Sequence, residues 1–247
     1  LGGRAMQIFY SEESVLKYLS EVVQVEPDYP VLIERFLEEA MEVDVDAVSD
    51  GQETYVAAIM EHIEHAGVHS GDSACVWPSQ HIRPEILAEI EETTCRLAHA
   101  LNIRGLLNIQ FAIQGNDLYV LEVNPRASRT VPYVCKATGI PLVKIATRLI
   151  LGESLQTVRE LIPTLPTRHV AVKAPVFPFN KFKGADPKLG PEMKSTGEVM
   201  GIDDNFPLAF AKAQLAANNK LPRAGKVFIS VNNYDKPRAL EVARRFA

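Results

Sequence analysis

Two periodicities organise this chain: alternation of apolar and polar residues, and apolar spacings of three and four. From Glu42 to Val48 acidic residues alternate with Val43, Val45 and Ala47. The run turns at Asp50-Gly51 and returns through Tyr55 to Met60, which predicts an antiparallel strand pair. Leu106 to Thr130 repeats the pattern. Leu107, Ile109, Phe111 and Ile113 share one face of a first strand, with Asn108 and Gln110 on the other. Tyr119, Leu121 and Val123 share a face of a second strand, with Glu122 and Asn124 opposite. Matching the apolar faces sets the register by parity. A three-residue loop Gly115-Asn116-Asp117 places Gln110 across from Glu122, whereas a two-residue loop would put them on opposite faces, so the longer loop is expected.

Helical spacing and caps predict four further elements. Ser11 caps a helix running to about Val23, with Glu12 and Glu13 in its first turn. Pro84 opens a helix to about Leu101, carrying Ile86, Ile90, Leu97 and Leu101 on one stripe. Pro141 opens another to about Leu151, ended by Gly152, and Leu208 to Ala217 forms an alanine-rich one. Val31 to Phe36 and Val170 to Val176 read as short apolar strands. Glu153 to Pro166 reads as a connection, and Pro178 to Gly201, rich in Gly, Pro and Lys, as irregular chain.

Both ends of the sequence look cut. Gly2-Gly3-Arg4 is a glycine turn without a preceding element. Lys226 to Val231 and Lys236 to Phe246 read as a strand and a helix, which cannot bury their apolar faces alone. The chain is therefore read as a fragment: residues 1–220 in one domain, incomplete at its start, and 221–247 as the beginning of an α/β domain that continues elsewhere. Asn218 to Gly225 is the boundary.

The matched hairpin gathers Gln110, Glu122 and Asn124 on one surface, with Arg126 and Arg129 just beyond. Oxygen donors of this kind suit Mg²⁺, and guanidinium groups suit phosphate or carboxylate. A second cluster, Glu61 to Asp72, contains His62, His65 and His69, whose spacing matches no strong zinc pattern. Its glycines, Gly67 and Gly71, let the backbone bend close to a ligand and offer N–H groups to an anion; a solvated polar loop is the alternative.

Composition narrows the field. An apolar content of 47% and a charged content of 23% are those of a soluble globular protein over 247 residues. A net charge of −5 argues against a general nucleic-acid binder. No apolar run is long enough to cross a bilayer, so no membrane role is expected. Three widely spaced cysteines (Cys75, Cys95, Cys135) without a CxxC suit a reduced, cytoplasmic protein.

The order of the pieces is more specific than any one of them. Gly2-Gly3-Arg4-Ala5-Met6, EHIEHAGVHSGDSA (Glu61 to Ala74), LEVNPRASRTVPYVCKATG (Leu121 to Gly139) and GPEMKSTGEVMG (Gly190 to Gly201) closely resemble the large subunits of the carbamoyl-phosphate synthetase family, through essentially the whole chain. The resemblance implies an α+β, ATP-grasp fold, in which two α+β lobes close on a nucleotide. Of the two homologous halves in that subunit, the second is the better match, and KVFISV resembles the start of its regulatory (methylglyoxal-synthase-like) domain. The second half phosphorylates carbamate with ATP; the first makes carboxyphosphate from bicarbonate. Ammonia arrives from a glutaminase small subunit.

Carried over by position, the resemblance assigns Gln110, Glu122 and Asn124 to the Mg²⁺ or Mn²⁺ ions on the ATP phosphates. It assigns Arg35, Leu37 and Glu42 to the nucleoside, with Glu42 on the ribose hydroxyls, and Gly67, Val68, His69 and Ser70 to a nucleotide-lining loop. Glu42, His62, Glu64, Val68 and Ser70 match a K⁺ site of the family, although His65 stands where a glutamine is expected. Arg126 and Arg129 match arginines near the transferred phosphoryl group. The implied partners are ATP, carbamate, the glutaminase small subunit and the remainder of the large subunit; homo-oligomer formation is left open. The family's nucleotide-clamping arginine lies upstream of the first residue here, so the isolated chain is expected to be inactive. The bicarbonate-activating half, another ATP-grasp ligase such as a biotin-carboxylase-like protein, and a non-catalytic ATP-binding module are the competing readings.

Overall fold

A computed structural model describes residues 6–21, 31–163, 168–182, 184–219, 224–233 and 235–246. Gly2-Gly3-Arg4, the end of the first expected helix at Val22 and Val23, and part of the expected boundary at 220–223 lie outside the described residues. The core is a seven-stranded antiparallel sheet: β1 (Met41–Asp50), β2 (Thr54–His65), β3 (Cys75–Trp77), β4 (Arg104–Gln114), β5 (Asp117–Asn124), β6 (Val170–Val176) and β7 (Gly197–Asp203). Their order across the sheet is β5-β4-β1-β2-β3-β6-β7.

The register carries one face across the sheet. Phe111, Val43, Glu61, Val76, Val172 and Gly201 are paired in succession, so they share a side. Helix α2 (Pro84–Ala100) covers part of this side, packing Ile86, Ile90 and Ala98 against Val43, Val45, Leu107, Ile109 and Phe111. Helix α6 (Phe206–Ala216) covers another part, over Val76, Val172 and Ala174. Its approach requires a glycine: a Cβ on Gly201 would lie 2.2 Å from the Ala209 carbonyl oxygen and 2.4 Å from the Ala213 nitrogen. On the opposite side, α3 (Val131–Thr138), α4 (Leu142–Ile150) and the short α5 (Leu155–Val158) bury Val134, Ile145 and Leu149 against Val48, Ala58, Met60 and Ala171. The cleft lies on the rest of that side.

Most expected elements are present. Helix α1 (Glu12–Glu21) is preceded by Ser11, whose Oγ accepts a bond from the Ser14 N–H at 3.3 Å. Five expectations are corrected. Val31 to Phe36 is not a strand; Leu32 and Ile33 are exposed, and no described strand pairs with them. Lys226 to Val231 likewise forms no strand, and α7 (Lys236–Phe246), present as expected, buries no residue, so no sheet organises this stretch. Helix α3 arises beyond the hairpin stretch, in Val131–Thr138, to which the sequence pattern assigns no element. Strand β7 emerges from the region read as irregular, because Gly197 to Asp203 finds a partner in β6.

The fifth correction concerns the hairpin itself. Gln114 pairs with Asp117, so the loop is the two-residue Gly115-Asn116 rather than three residues. Ile113 pairs with Leu118, Ala112 with Tyr119 and Phe111 with Val120. The register then slips by one, and Gln110 pairs with Glu122, leaving Leu121 as the extra residue of a β-bulge. The parity lost at the turn is regained at the bulge. Leu118 and Val123 therefore pack on the α2 side, while Tyr119 faces the other way and Leu121 is half exposed beside the cleft.

Candidate active site

A cleft of about 570 Å³ opens on the sheet side not covered by α2 and α6. Its floor is built by strand parity. Glu42 and Asp44 come from β1, Asn108 and Gln110 from β4, Glu122 and Asn124 from β5, and Lys173 from β6. One rim is the loop after β2, Gly67 to Gly71; the other is the β5–α3 loop with Arg126, Ser128, Arg129 and Thr130. A separate hollow of about 460 Å³ between β2 and α2 is lined by Val56 to Ile59, Trp77 and Leu87, and its only ionisable lining residue is Glu91.

The two rims are tied to the floor and to a third segment. The Gln110 side-chain amide donates to Ser70 Oγ at 2.9 Å, and the Gly67 N–H reaches Glu42 Oε1 at 3.4 Å. His69 sits at the start of a short 3-10 turn, Ser70–Asp72, and its Nδ1 accepts from the Gly71 N–H at 3.0 Å. Buried Asp72 accepts the backbone N–H groups of Lys194 and Ser195, both within 2.8 Å, and the His69 N–H donates to the Gly190 carbonyl. These bonds hold the 190–195 segment against the cleft, where Met193 touches the Arg129 guanidinium. Arg126 donates to Asn124 Oδ1 at 3.0 Å. Glu122 is exposed and its side chain makes no hydrogen bond or ion pair among the described residues, which leaves its carboxylate free for a ligand.

Three acids step inward along β1. Glu42 is the least buried; Asp44 and Asp46 are enclosed. Between the first two lies His62, with Nε2 3.0 Å from Asp44 Oδ2 and Nδ1 3.4 Å from Glu42 Oε2, the latter without hydrogen-bond geometry. Burial alone would lower the imidazole pKa, but the Asp44 and Glu42 carboxylates outweigh it and raise it to about 9. Burial likewise pushes Asp44 up, and the His62 hydrogen bond and charge bring it below the usual carboxylate value. Asp46 has no cation beside it among the described residues; burial, joined by the Asp44 charge, pushes it up to about 6 against hydrogen bonds from Thr130, Ser128 and Asn108.

The structure thus gathers Glu42, Gly67, Val68, His69, Ser70, Gln110, Glu122, Asn124, Arg126 and Arg129 around one cleft. His62 lies beneath it. Glu64 is turned to the Ala74 N–H at 2.7 Å and is not in the lining. Arg35 and Leu37 are also outside it; Arg35 reaches Gln114 near the hairpin tip instead. Sequence reasoning missed Asn108, Asp44 and Lys173 as cleft residues. Each left a signal: Asn108 shares the Gln110 face, Asp44 shares the Glu42 face, and Lys173 interrupts an otherwise apolar strand. The Lys173 ammonium, on a residue 1% exposed, donates to the Ser70 carbonyl at 3.3 Å.

For divalent ions the donor set is suitable in kind: the Glu122 carboxylate with the Gln110 and Asn124 amide oxygens. No group of three or more His, Cys, Asp or Glu side chains is arranged as a metal site among the described residues, so an ion here would depend on amide and phosphate oxygens. A monovalent cation has a different match. Asp44 Oδ1 is buried without a partner, and Asp44, Glu42, Val68 and Ser70 all line the cleft. No described helix is long and apolar enough to cross a membrane.

Comparison with known proteins gives the family and the fold. The carbamoyl phosphate synthase large chain of Methanosarcina acetivorans is 54% identical over 99% of this chain, which spans 23% of that protein. The C-terminal section of the large chain from Methanocaldococcus jannaschii is 54% identical over 99% of this chain and 41% of its own length. That from Aquifex aeolicus is 53% identical over 100% and 49%. Among solved structures, a biotin carboxylase domain of a single-chain bacterial carboxylase is 24% identical with a TM-score of 0.51, covering 60% of this chain and 35% of its own. Rhizobium etli pyruvate carboxylase is 19% identical with a TM-score of 0.57, covering 72% and 16%. These likenesses speak for the fold, a mixed α/β arrangement of the biotin-carboxylase-like ATP-grasp type. Residues 1–158 match the family described as carbamoyl-phosphate synthase L chain, ATP binding domain, and the chain belongs to that family.

Proposed function

We propose that this chain is the part of a carbamoyl phosphate synthase large chain that phosphorylates carbamate with ATP. It would serve glutamine-dependent carbamoyl phosphate synthesis for arginine and pyrimidine production, together with the rest of the large chain and a glutaminase small subunit. The observation that carries the reading is the bulged pairing that sets Glu122 across from Gln110, between the Gly67–Ser70 loop and the Arg126–Arg129 loop. That two relatives aligned along nearly the whole chain are C-terminal sections favours the second, carbamate-using half over the bicarbonate-using one. The 221–247 segment is proposed as the start of the regulatory domain.

Phosphoryl transfer asks a protein for positioning and charge neutralisation more than for covalent chemistry. Gln110, Glu122 and Asn124 would hold Mg²⁺ or Mn²⁺, which supplies positive charge on the phosphate oxygens when bound. The Gly67–Ser70 backbone lies along the phosphates, and Glu42 receives the ribose hydroxyls. Arg126 and Arg129 neutralise charge on the transferring group and orient the carbamate, whose oxygen attacks the terminal phosphorus in line with the departing ADP oxygen. The 190–195 segment, pinned by Asp72, shields that space from water. A K⁺ ion near Glu42, His62 and Ser70 would steady the nucleotide loop; Glu64 joins it only by leaving Ala74.

Glu122→Gln in the intact large chain tests the reading. Carbamate-dependent ATP turnover should fall by ~10²–10³, while the bicarbonate-dependent ATPase of the other half stays within twofold. Carbamoyl phosphate synthesis at the parent rate would sink the assignment.

A further inference from the structure

We propose that Asp46 is a positioning residue: its buried carboxylate ties down the loop between β5 and α3 so that Arg126 and Arg129 present to the cleft. The inference rests on the reading that these arginines serve phosphoryl transfer.

Residues 125–130 form no strand or helix, so something other than a ladder must fix their path. Two side chains of the loop turn inward, Ser128 and Thr130, and both bind one acceptor. Ser128 Oγ donates to Asp46 Oδ1 at 2.7 Å, and Thr130 Oγ1 donates to Asp46 Oδ2 at 2.5 Å. Asn108 adds a third bond to Oδ1 at 3.0 Å. The two hydroxyls also lie 2.7 Å from one another. With Ser128 and Thr130 held inward, the residues in between and before them, Arg129 and Arg126, are left exposed on the cleft rim.

Thr130 shows what the loop gives up for this. It stands at the N-cap of α3, where a threonine hydroxyl ordinarily accepts a backbone N–H, yet it makes no such bond. Its hydroxyl is committed to Asp46. The carboxylate, in turn, is 0% exposed, is not in the cleft lining and meets no Lys, Arg or His among the described residues. A buried anion held only by neutral donors is a poor way to stabilise a fold. It is a good way to fix two hydroxyls at once, since each oxygen of a carboxylate can receive a separate donor.

The test uses the intact large chain. Asp46→Leu, which cannot accept a bond, should lower the carbamate-dependent kcat about 100-fold, the scale expected when catalytic groups shift by an ångström, with KM for ATP within twofold. Asp46→Asn keeps one acceptor oxygen and should recover to within about tenfold of the parent. Combined with Arg129→Ala, Asp46→Leu should add less than its full effect, because the Arg129 share of the loss is already gone and only the Arg126 share remains. Backbone hydrogen exchange, measured by mass spectrometry, should speed up in a 125–133 peptide and stay unchanged in a 54–62 peptide. Multiplicative loss in the double variant, a KM effect without a kcat effect, or unchanged exchange at 125–133 would overturn the proposal. Exchange makes no assumption about the substrate. A faster 125–133 exchange in a protein that fails to use carbamate would fault the functional reading and keep the anchor.

Discussion

Asp44 and Asp46 sit two residues apart on the same face of β1 and are both enclosed, yet one is met by an imidazole ring and the other by two hydroxyls and an amide. Around Asp44 the strand pairing brings His62, and the two share a proton's worth of charge: the histidine is pushed up to about 9 and the aspartate down. Around Asp46 no positive group arrives, and burial wins, raising it to about 6. A carboxylate paired with a cation supports the folded state when ionised, whereas one held by neutral donors taxes it. The first arrangement belongs to the packed floor of the cleft. The second belongs to its rim, where the gain is placement of the arginine loop.

The same substitution at both positions should break this comparison open. The largest effect is expected at Asp44→Asn, which leaves His62 protonated and enclosed with only the Glu42 carboxylate, 3.4 Å from Nδ1, or forces it to lose its proton. At pH 7 the variant should lose about 3–5 kcal/mol, the scale of breaking a buried pair, read from urea unfolding. An unchanged midpoint would mean that the Asp44–His62 contact carries no charge.

Asp46→Asn should behave in the opposite sense, and its effect should depend on pH. The folded-state value near 6 lies above the ordinary 3.8, so the folded chain holds this proton more tightly than the unfolded one. The associated stability is fully present below pH 3.8 and is lost as pH rises through about 6. The neutral amide cannot lose it. Between pH 3 and pH 8 the variant should therefore gain about 3 kcal/mol relative to the parent, since each pKa unit is worth about 1.4 kcal/mol. A difference between the two proteins that is flat across that range would assign the raised value to another group.

Much of this was legible before any coordinates. The β1–β2 pair, β4, β6, α2 and α4 follow from period and caps, because each carries an unambiguous apolar stripe and a terminator. The hairpin shows where legibility ends. Parity demanded that Gln110 and Glu122 share a face, which is correct, but the sequence does not say where the compensating residue sits. The reading placed it in the turn; the chain places it at Leu121, because Gly115-Asn116 already suits a two-residue loop. Val31 to Phe36 and Lys226 to Val231 have strand composition, but a strand is completed by its neighbour, and no described strand lies beside either. At the site, the side chains that face a ligand were found, since their types announce their chemistry. Those that act from behind were not: Asp46 looks like one acid among three until Ser128 and Thr130, 82 and 84 residues later, fold over it.

Ser128→Ala gives the smallest effect and the finest probe of the contrast. It removes one of the three neutral donors to Asp46 and touches nothing on the Asp44–His62 pair. At pH 8, where the carboxylate is charged, the lost bond should cost about 1.5 kcal/mol, the low end for a hydrogen bond to a charged group. At pH 4.5 Asp46 is mostly protonated in the folded chain, and the same bond is one between neutral groups, so the cost should fall to about 0.5–1 kcal/mol. The variant should also titrate Asp46 higher than the parent, because one of the bonds pulling it down is gone. Equal costs at the two pH values would show that Ser128 binds a carboxyl whose charge does not change between them. In that case the difference from Asp44 would be one of partners alone and not of ionisation.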